Sequence, residues 1–174
     1  MLMTQAAINN AKVLYRLSVD RADVKKAEEL FFLTPELQKT LENPTIPAEK
    51  KYEIIERVFA LEKLPKVLTD YVKTMCRLGN CAEMRDIFEA FYQYWDEKNH
   101  ILRAEFISAG TPVEAEVQEA LNLLKRKYPE ETIELTKKVD ASLLGGYVIR
   151  VLHKEYDRSY EGRLRQLERK LTGR

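Results

Sequence analysis

Val139-Asp140-Ala141-Ser142-Leu143-Leu144-Gly145-Gly146-Tyr147-Val148-Ile149-Arg150-Val151 decides how the second half of the chain is read. Gly145-Gly146 interrupts the chain at a point that calls for positive φ, which only glycine adopts freely. The run that follows is aromatic and β-branched, and is the most strand-like stretch of the protein. Downstream, Tyr160, Leu164, Leu167 and Leu171 recur at helical spacing and predict a last helix over residues 159–171. Its leucines are expected to pack on the strand 147–151, leaving Arg163, Arg165, Arg169 and Lys170 to point outward.

Upstream, Thr132-Ile133-Glu134-Leu135-Thr136 alternates as a strand does, and so do Ala104, Phe106 and Ser108. Between them, Thr111-Pro112-Val113-Glu114 reads as a capping box with proline at the first helical position. The helix it opens presents Val117, Ala120, Leu121 and Leu124 on one face and stops before Pro129.

Before Asn99-His100 the period is helical throughout. Ala7, Ala11, Leu14 and Ser18 form a small-residue stripe on a first helix. A second helix fits 22–33 after Asp20, and a third fits 35–41 before Asn43-Pro44. Pro47 opens a fourth, with Ile54, Ile55, Val58 and Phe59 inward, and Pro65 opens a fifth. The fifth carries Leu68, Tyr71, Val72, Met75 and Leu78 and ends at Gly79-Asn80. A sixth, over about 82–98, carries Met84, Ile87, Phe88, Phe91 and Trp95. The expected fold is therefore mainly α: an N-terminal six-helix bundle, residues 1–104, followed by a small C-terminal α/β domain, residues 105–174.

Composition narrows the function. The 29 basic and 28 acidic residues are interspersed and leave a net charge of +1, so no global field attracts nucleic acid or an anionic membrane. Only residues 150–174 are locally basic, eight against four, which suits either an acidic partner or a solvated helix face. No apolar run reaches the ~18 residues of a membrane span. The first residues lack the features of a signal peptide, and the protein is expected to stay in the compartment where it is made. Cys76 and Cys81 lack C-x-x-C spacing and are too few for a disulfide framework, so they read as reduced packing residues.

His100 and His153 begin no metal-ligand spacing, and Gly145-Gly146 precedes a strand whereas phosphate-cradling glycines follow one. No catalytic, cofactor or metal residue is expected. Phe88, Phe91 and Trp95 fall on one helical stripe, as core residues do, and not on a stacking platform for bases. Helix surfaces remain as the chain's resource, and these bind other proteins.

Three stretches together resemble the delta subunit family of ATP synthases, which includes the mitochondrial oligomycin-sensitivity-conferring protein. The most specific is the stretch 139–150 followed by Asp157, Ser159 and Gly162-Arg163-Leu164. Asn43-Pro44-Thr45-Ile46-Pro47 with Lys50, Ile54 and Phe59 is similar to the family's loop before its fourth helix. Ala11-Lys12-Val13-Leu14-Tyr15 resembles its first helix. The chain departs from the family at Asn10, where Tyr is usual, at Leu152-His153 in place of a Gly-Asp hairpin, and at Glu161 in place of Arg.

The resemblance implies a non-catalytic stator subunit without cofactors, one copy per complex, peripheral to the cytoplasmic face of the bacterial inner membrane. Its bundle would grip the N-terminal helix of one alpha subunit between the first and fifth helices. Ala7, Ala11, Leu14, Val72 and Met75 are the groove residues expected on that basis, unless they only pack the bundle's own core. The C-terminal unit, with Arg163, Arg165 and Arg169, would hold the C-terminal ends of the b subunits. Two other readings stay open: an unrelated helical adaptor, and a small enzyme using His153 with a carboxylate such as Asp157.

Overall fold

The computed structural model describes residues 3–172. It is mainly helical with a small four-stranded sheet, and the chain divides into two compact units, one ending at Asp96 and the other beginning at Glu97. The break comes before the expected 104/105 boundary because the first strand already begins at Ile101.

The first unit contains α1 (Gln5–Arg16), α2 (Arg21–Phe31), α3 (Pro35–Glu42), α4 (Ala48–Ala60), α5 (Lys66–Arg77) and a 3-10 helix (Asn80–Glu83). Most of α6 (Met84–Lys98) completes it. Local chemistry sets the starts of these helices. Thr4, Asp20 and Thr34 each cap a helix by accepting a backbone N–H, at 3.1, 3.3 and 3.1 Å. Pro35 occupies the first turn of α3, while Pro47 and Pro65 immediately precede α4 and α5.

All six helices contribute to one apolar core, in which Phe31, Phe88 and Phe91 are fully buried. Two stripe residues do not join it. Ser18 takes a left-handed φ of 54° after α1 has ended at Arg16, so the stripe stops at Leu14. Leu78 is the exposed C-cap of α5, where Gly79 at φ 81° reverses the chain.

That reversal corrects the reading of the cysteines. It brings Cys81 back onto the end of α5, where it forms a disulfide with Cys76 across a Cα–Cα distance of 4.8 Å. Spacing alone could not show this, because a left-handed turn shortens the path between two residues five apart. Closing so short a loop restricts the unfolded chain by about 2 kcal/mol.

Two tyrosines, Tyr71 buried and Tyr92 half-buried, tie helices together. Tyr71 Oη donates to the Asn10 carbonyl at 2.9 Å, and Tyr92 Oη to Glu28 at 2.7 Å. Burial raises both phenol pKa values above the ordinary range, and at Tyr92 the Glu28 carboxylate adds to the effect. A folded-state pKa above the unfolded value of about 10 stabilises the protein below that pH and is lost as pH rises past it. Alkaline titration followed at 295 nm should show Tyr71 and Tyr92 among the tyrosines that ionise late, together with the loss of helical circular dichroism. Early ionisation of all nine would contradict it.

The second unit is built from β1 (Ile101–Ser108), α7 (Glu114–Lys127), β2 (Thr132–Val139), β3 (Tyr147–Val151), β4 (Lys154–Asp157) and α8 (Tyr160–Thr172). The sheet order is β2-β1-β3-β4. β1 and β2 are parallel and joined through α7, while β3 runs antiparallel to both β1 and β4. Leu102, Ala104 and Phe106 share one face with Ile149 and Val151, and Val117, Ala120 and Leu124 of α7 belong to the same buried cluster. The opposite face carries charged pairs across neighbouring strands, such as Arg103–Glu134 at 2.6 Å and Arg150–Glu155 at 2.7 Å. Being exposed, each contributes only about 0–1 kcal/mol.

The capping box does not form. Val113, extended at φ −82° and ψ 128°, is the N-cap of α7 and makes no side-chain cap bond. Glu114 instead accepts from Gln118 at 3.1 Å and pairs with Lys137 at 3.7 Å. With Glu116 it places negative charge in the first turn, where the helix dipole favours it.

Candidate partner-binding surfaces

The expected groove residues separate when the helices pack. Ala7, Ala11, Leu14 and Val72 are at most 1% exposed and lie in the core of the first unit. Among the five, only Met75 also lines an outward-facing cavity. That cavity, about 340 Å³, lies between α1 and α5 and is formed by Val13, Leu17, Val67, Tyr71 and Met75, with Asp70 and Thr74 supplying its polar atoms.

Val13 and Val67 are 48% and 50% exposed, so apolar surface faces solvent here. Tyr71 forms part of the floor, and its bond to the Asn10 carbonyl locks α5 to α1. The Asn10 departure leaves this contact intact because it uses the main chain. The small-residue stripe missed Val13, Leu17 and Val67 because it identifies the face turned to the core. The adjoining face, about one residue further round the helix, forms the groove wall.

Ala11→Glu therefore tests folding and not docking. A carboxylate at this buried site has no partner, and the first unit should lose 3 kcal/mol or so. Thermal melting of the variant checks this, and an unchanged midpoint would contradict the burial of Ala11.

The second surface is α8. Leu164, Leu167 and Leu171 were expected to cover β3, but they are 63%, 56% and 87% exposed. One face of β3 belongs to the cluster that contains α7, and the three leucines of α8 are not part of that cluster. Arg163, Arg165 and Arg169 are exposed on the same helix, and Arg165 pairs with Glu161 one turn earlier. The result is an amphipathic helix with both its apolar stripe and its cations open to solvent.

The glycines and polar residues of the quoted C-terminal motif fasten the start of this helix. Arg158 N–H donates to the Tyr147 carbonyl at 2.9 Å, and Tyr160 N–H to the Gly145 carbonyl at 3.0 Å. Ser159 N–H donates to Asp157 at 2.8 Å, and the Ser159 hydroxyl accepts from Gly162 N–H at 3.0 Å. The hydrogen bonds from Ser159 hold the Asp157 carboxyl below its usual pKa, against the opposing effect of its partial burial. His153 sits in the β3–β4 turn, four strand residues and about 13 Å from Asp157 along an extended chain. The two lie too far apart to share a proton, and the enzyme reading loses that pair.

Comparison with known proteins agrees with this architecture. A family model described as ATP synthase delta (OSCP) subunit matches residues 4–171. ATP synthase subunit delta of Anaplasma marginale (strain Florida) is 27% identical over 164 residues, covering 91% of this chain and 86% of the relative. That of Prochlorococcus marinus (strain MIT 9301) is 30% identical over 150 residues, covering 84% and 81%. Among solved structures, a chain of the Toxoplasma gondii mitochondrial ATP synthase hexamer superposes with a TM-score of 0.66 over 97% of this chain and 98% of that one. At 14% identity the likeness is one of fold. With nearly its whole length matched, the chain belongs to the ATP synthase delta (OSCP) subunit family.

Proposed function

We propose that this structural, non-catalytic subunit of ATP synthase is a stator clamp, which stops the catalytic head from turning with the rotor. The groove between α1 and α5 takes the N-terminal helix of one alpha subunit, and the second unit holds the C-terminal ends of the b subunits. One copy serves each complex, at the cytoplasmic face of a bacterial inner membrane. No described helix is long and apolar enough to cross a membrane, so attachment runs through the partner subunits.

The supporting observation is that each unit leaves an apolar helical surface open to solvent: the walls Val13 and Val67 on one, and Leu164 and Leu167 on the other. An amphipathic helix laid in the groove would cover Val13, Leu17 and Val67. Met75, unbranched and polarisable, would let the floor adjust to it.

Titration calorimetry of the full chain with a peptide copying the alpha-subunit N-terminus tests this reading. Val67→Glu sits on an exposed wall and should leave folding unchanged. Binding should nonetheless weaken at least tenfold, because docking would bury an unpaired carboxylate. Unchanged affinity would place the alpha helix elsewhere.

A further inference from the structure

We propose that Cys76–Cys81 is a reducible site, opened by a dithiol reductant, and that its reduction loosens the α5 wall of the groove. Four observations converge on it. First, the bond is local. It joins residues five apart at the end of one helix, and these are the chain's only cysteines, so opening it releases no distant part of the fold. Second, it is accessible. Although Cys76 and Cys81 are only 6% and 3% exposed, both line a cleft of about 340 Å³ that opens beside α4. Pro47, Lys51 and Gly79 share that lining.

Third, the cleft is suited to thiol chemistry. Lys51 and Arg77 line it against the single carboxylate of Glu42, and a net positive surrounding stabilises the thiolate expelled when a disulfide is attacked. Fourth, the bond holds the groove wall. Cys76 directly follows Met75 and lies two residues after Thr74, both of which line the groove. The last turn of α5 is otherwise closed by Leu78 N–H to the Thr74 carbonyl at 3.0 Å and Gly79 N–H to the Cys76 carbonyl at 3.2 Å. With the bond open, the 3-10 segment is no longer cross-linked to this turn and is joined to it covalently by the main chain alone.

The exchange balances with a dithiol as co-reactant. Its thiolate attacks one protein sulfur, forming a mixed disulfide and expelling the other sulfur as thiolate, which takes up a proton. The reductant's second thiol then attacks the mixed disulfide, releases the remaining cysteine and leaves the reductant as a disulfide. The protein gains two electrons and two protons.

The consequence for partner binding rests on the groove reading above, so the test separates the two. The native full chain is incubated with dithiothreitol, without denaturant. Thiols are counted by alkylation and peptide mass, and hydrogen exchange is followed in both redox states. Two thiols should appear together while the chain remains folded, and the thermal midpoint of the first unit should fall by about 10 °C. Exchange should rise about tenfold or more in segment 74–84, with strands β1 and β3 unchanged. Cys81→Ser should show the same faster exchange in the absence of reductant. Thiols that appear only at the rate of global unfolding, or exchange in 74–84 that is equal in the two states, would overturn the proposal. Failure of the alpha peptide to bind either state would overturn the groove reading and leave the thiol and exchange results to decide the disulfide.

Discussion

Gly146→Ala is expected to destabilise the second unit by about 3 kcal/mol. Two costs combine. Gly146 sits at φ 75°, where a side chain is strained by roughly 1 kcal/mol or more. A Cβ at this position would lie 2.5 Å from the Arg158 carbonyl oxygen and 3.0 Å from Ser159 Cα, both of which are main-chain atoms. The neighbouring strands cannot simply separate, because the Arg158–Tyr147 and Tyr160–Gly145 hydrogen bonds hold them on either side.

Calorimetry of the full chain should therefore show the transition of the second unit lowered by about 15 °C, with that of the first unit in place. A variant that melts like the parent would mean that the turn relaxes without loss. Gly145 offers the contrasting case. A Cβ there is strained by the backbone as well, at φ 140°. The atoms it meets, however, belong to the ring of Tyr160, an exposed side chain that can swing aside, so only the first of the two costs applies in full.

The contrast between core and surface explains what the sequence could and could not reveal. Apolar period and cap residues located the six helices of the first unit and strand β3, because burial and capping act within one segment. The hairpin at Leu152-His153 implied a strand after it, but the bounds of β4 were not legible: Lys154-Glu155-Tyr156-Asp157 is an edge strand with a polar outer face, and no apolar alternation marks it. The disulfide depended on a left-handed turn at Gly79, and the cap of α7 on the extended conformation of Val113.

The binding surfaces were the least legible part, for a physical reason. A helical stripe reports only that one face is apolar. Whether that face meets its own fold or a partner depends on which neighbours arrive first. In α1 the stripe went to the core, and the groove fell to the residues beside it. In α8 the stripe lies outside the cluster that takes one face of β3, and it stays in solvent. The same spacing thus yields opposite outcomes at the two ends of the chain.

Leu164→Asp combined with Leu167→Asp is expected to sever the proposed connection to the b subunits while leaving both units folded. The two leucines are more than half exposed, so removing them opens no cavity, and the melting transitions should barely move. In a complex they would be buried. Each would then contribute roughly 1.5–3 kcal/mol of apolar burial, and an aspartate in its place would be buried unpaired. Affinity for the stalk should fall at least a hundredfold. Arg165→Glu with Arg169→Glu should act more gently, since exposed charges contribute about 0–1 kcal/mol each and Arg165 already pairs with Glu161. That variant should lose several-fold in affinity, by an amount that depends on salt concentration. Reconstituting head, stalk and each variant, and measuring assembly alongside proton-driven ATP synthesis, separates the contributions. The leucine variant should keep the alpha peptide and lose coupling. Full coupling by that variant would mean that the stalk is held by another surface, and that α8 presents its leucines to some other partner.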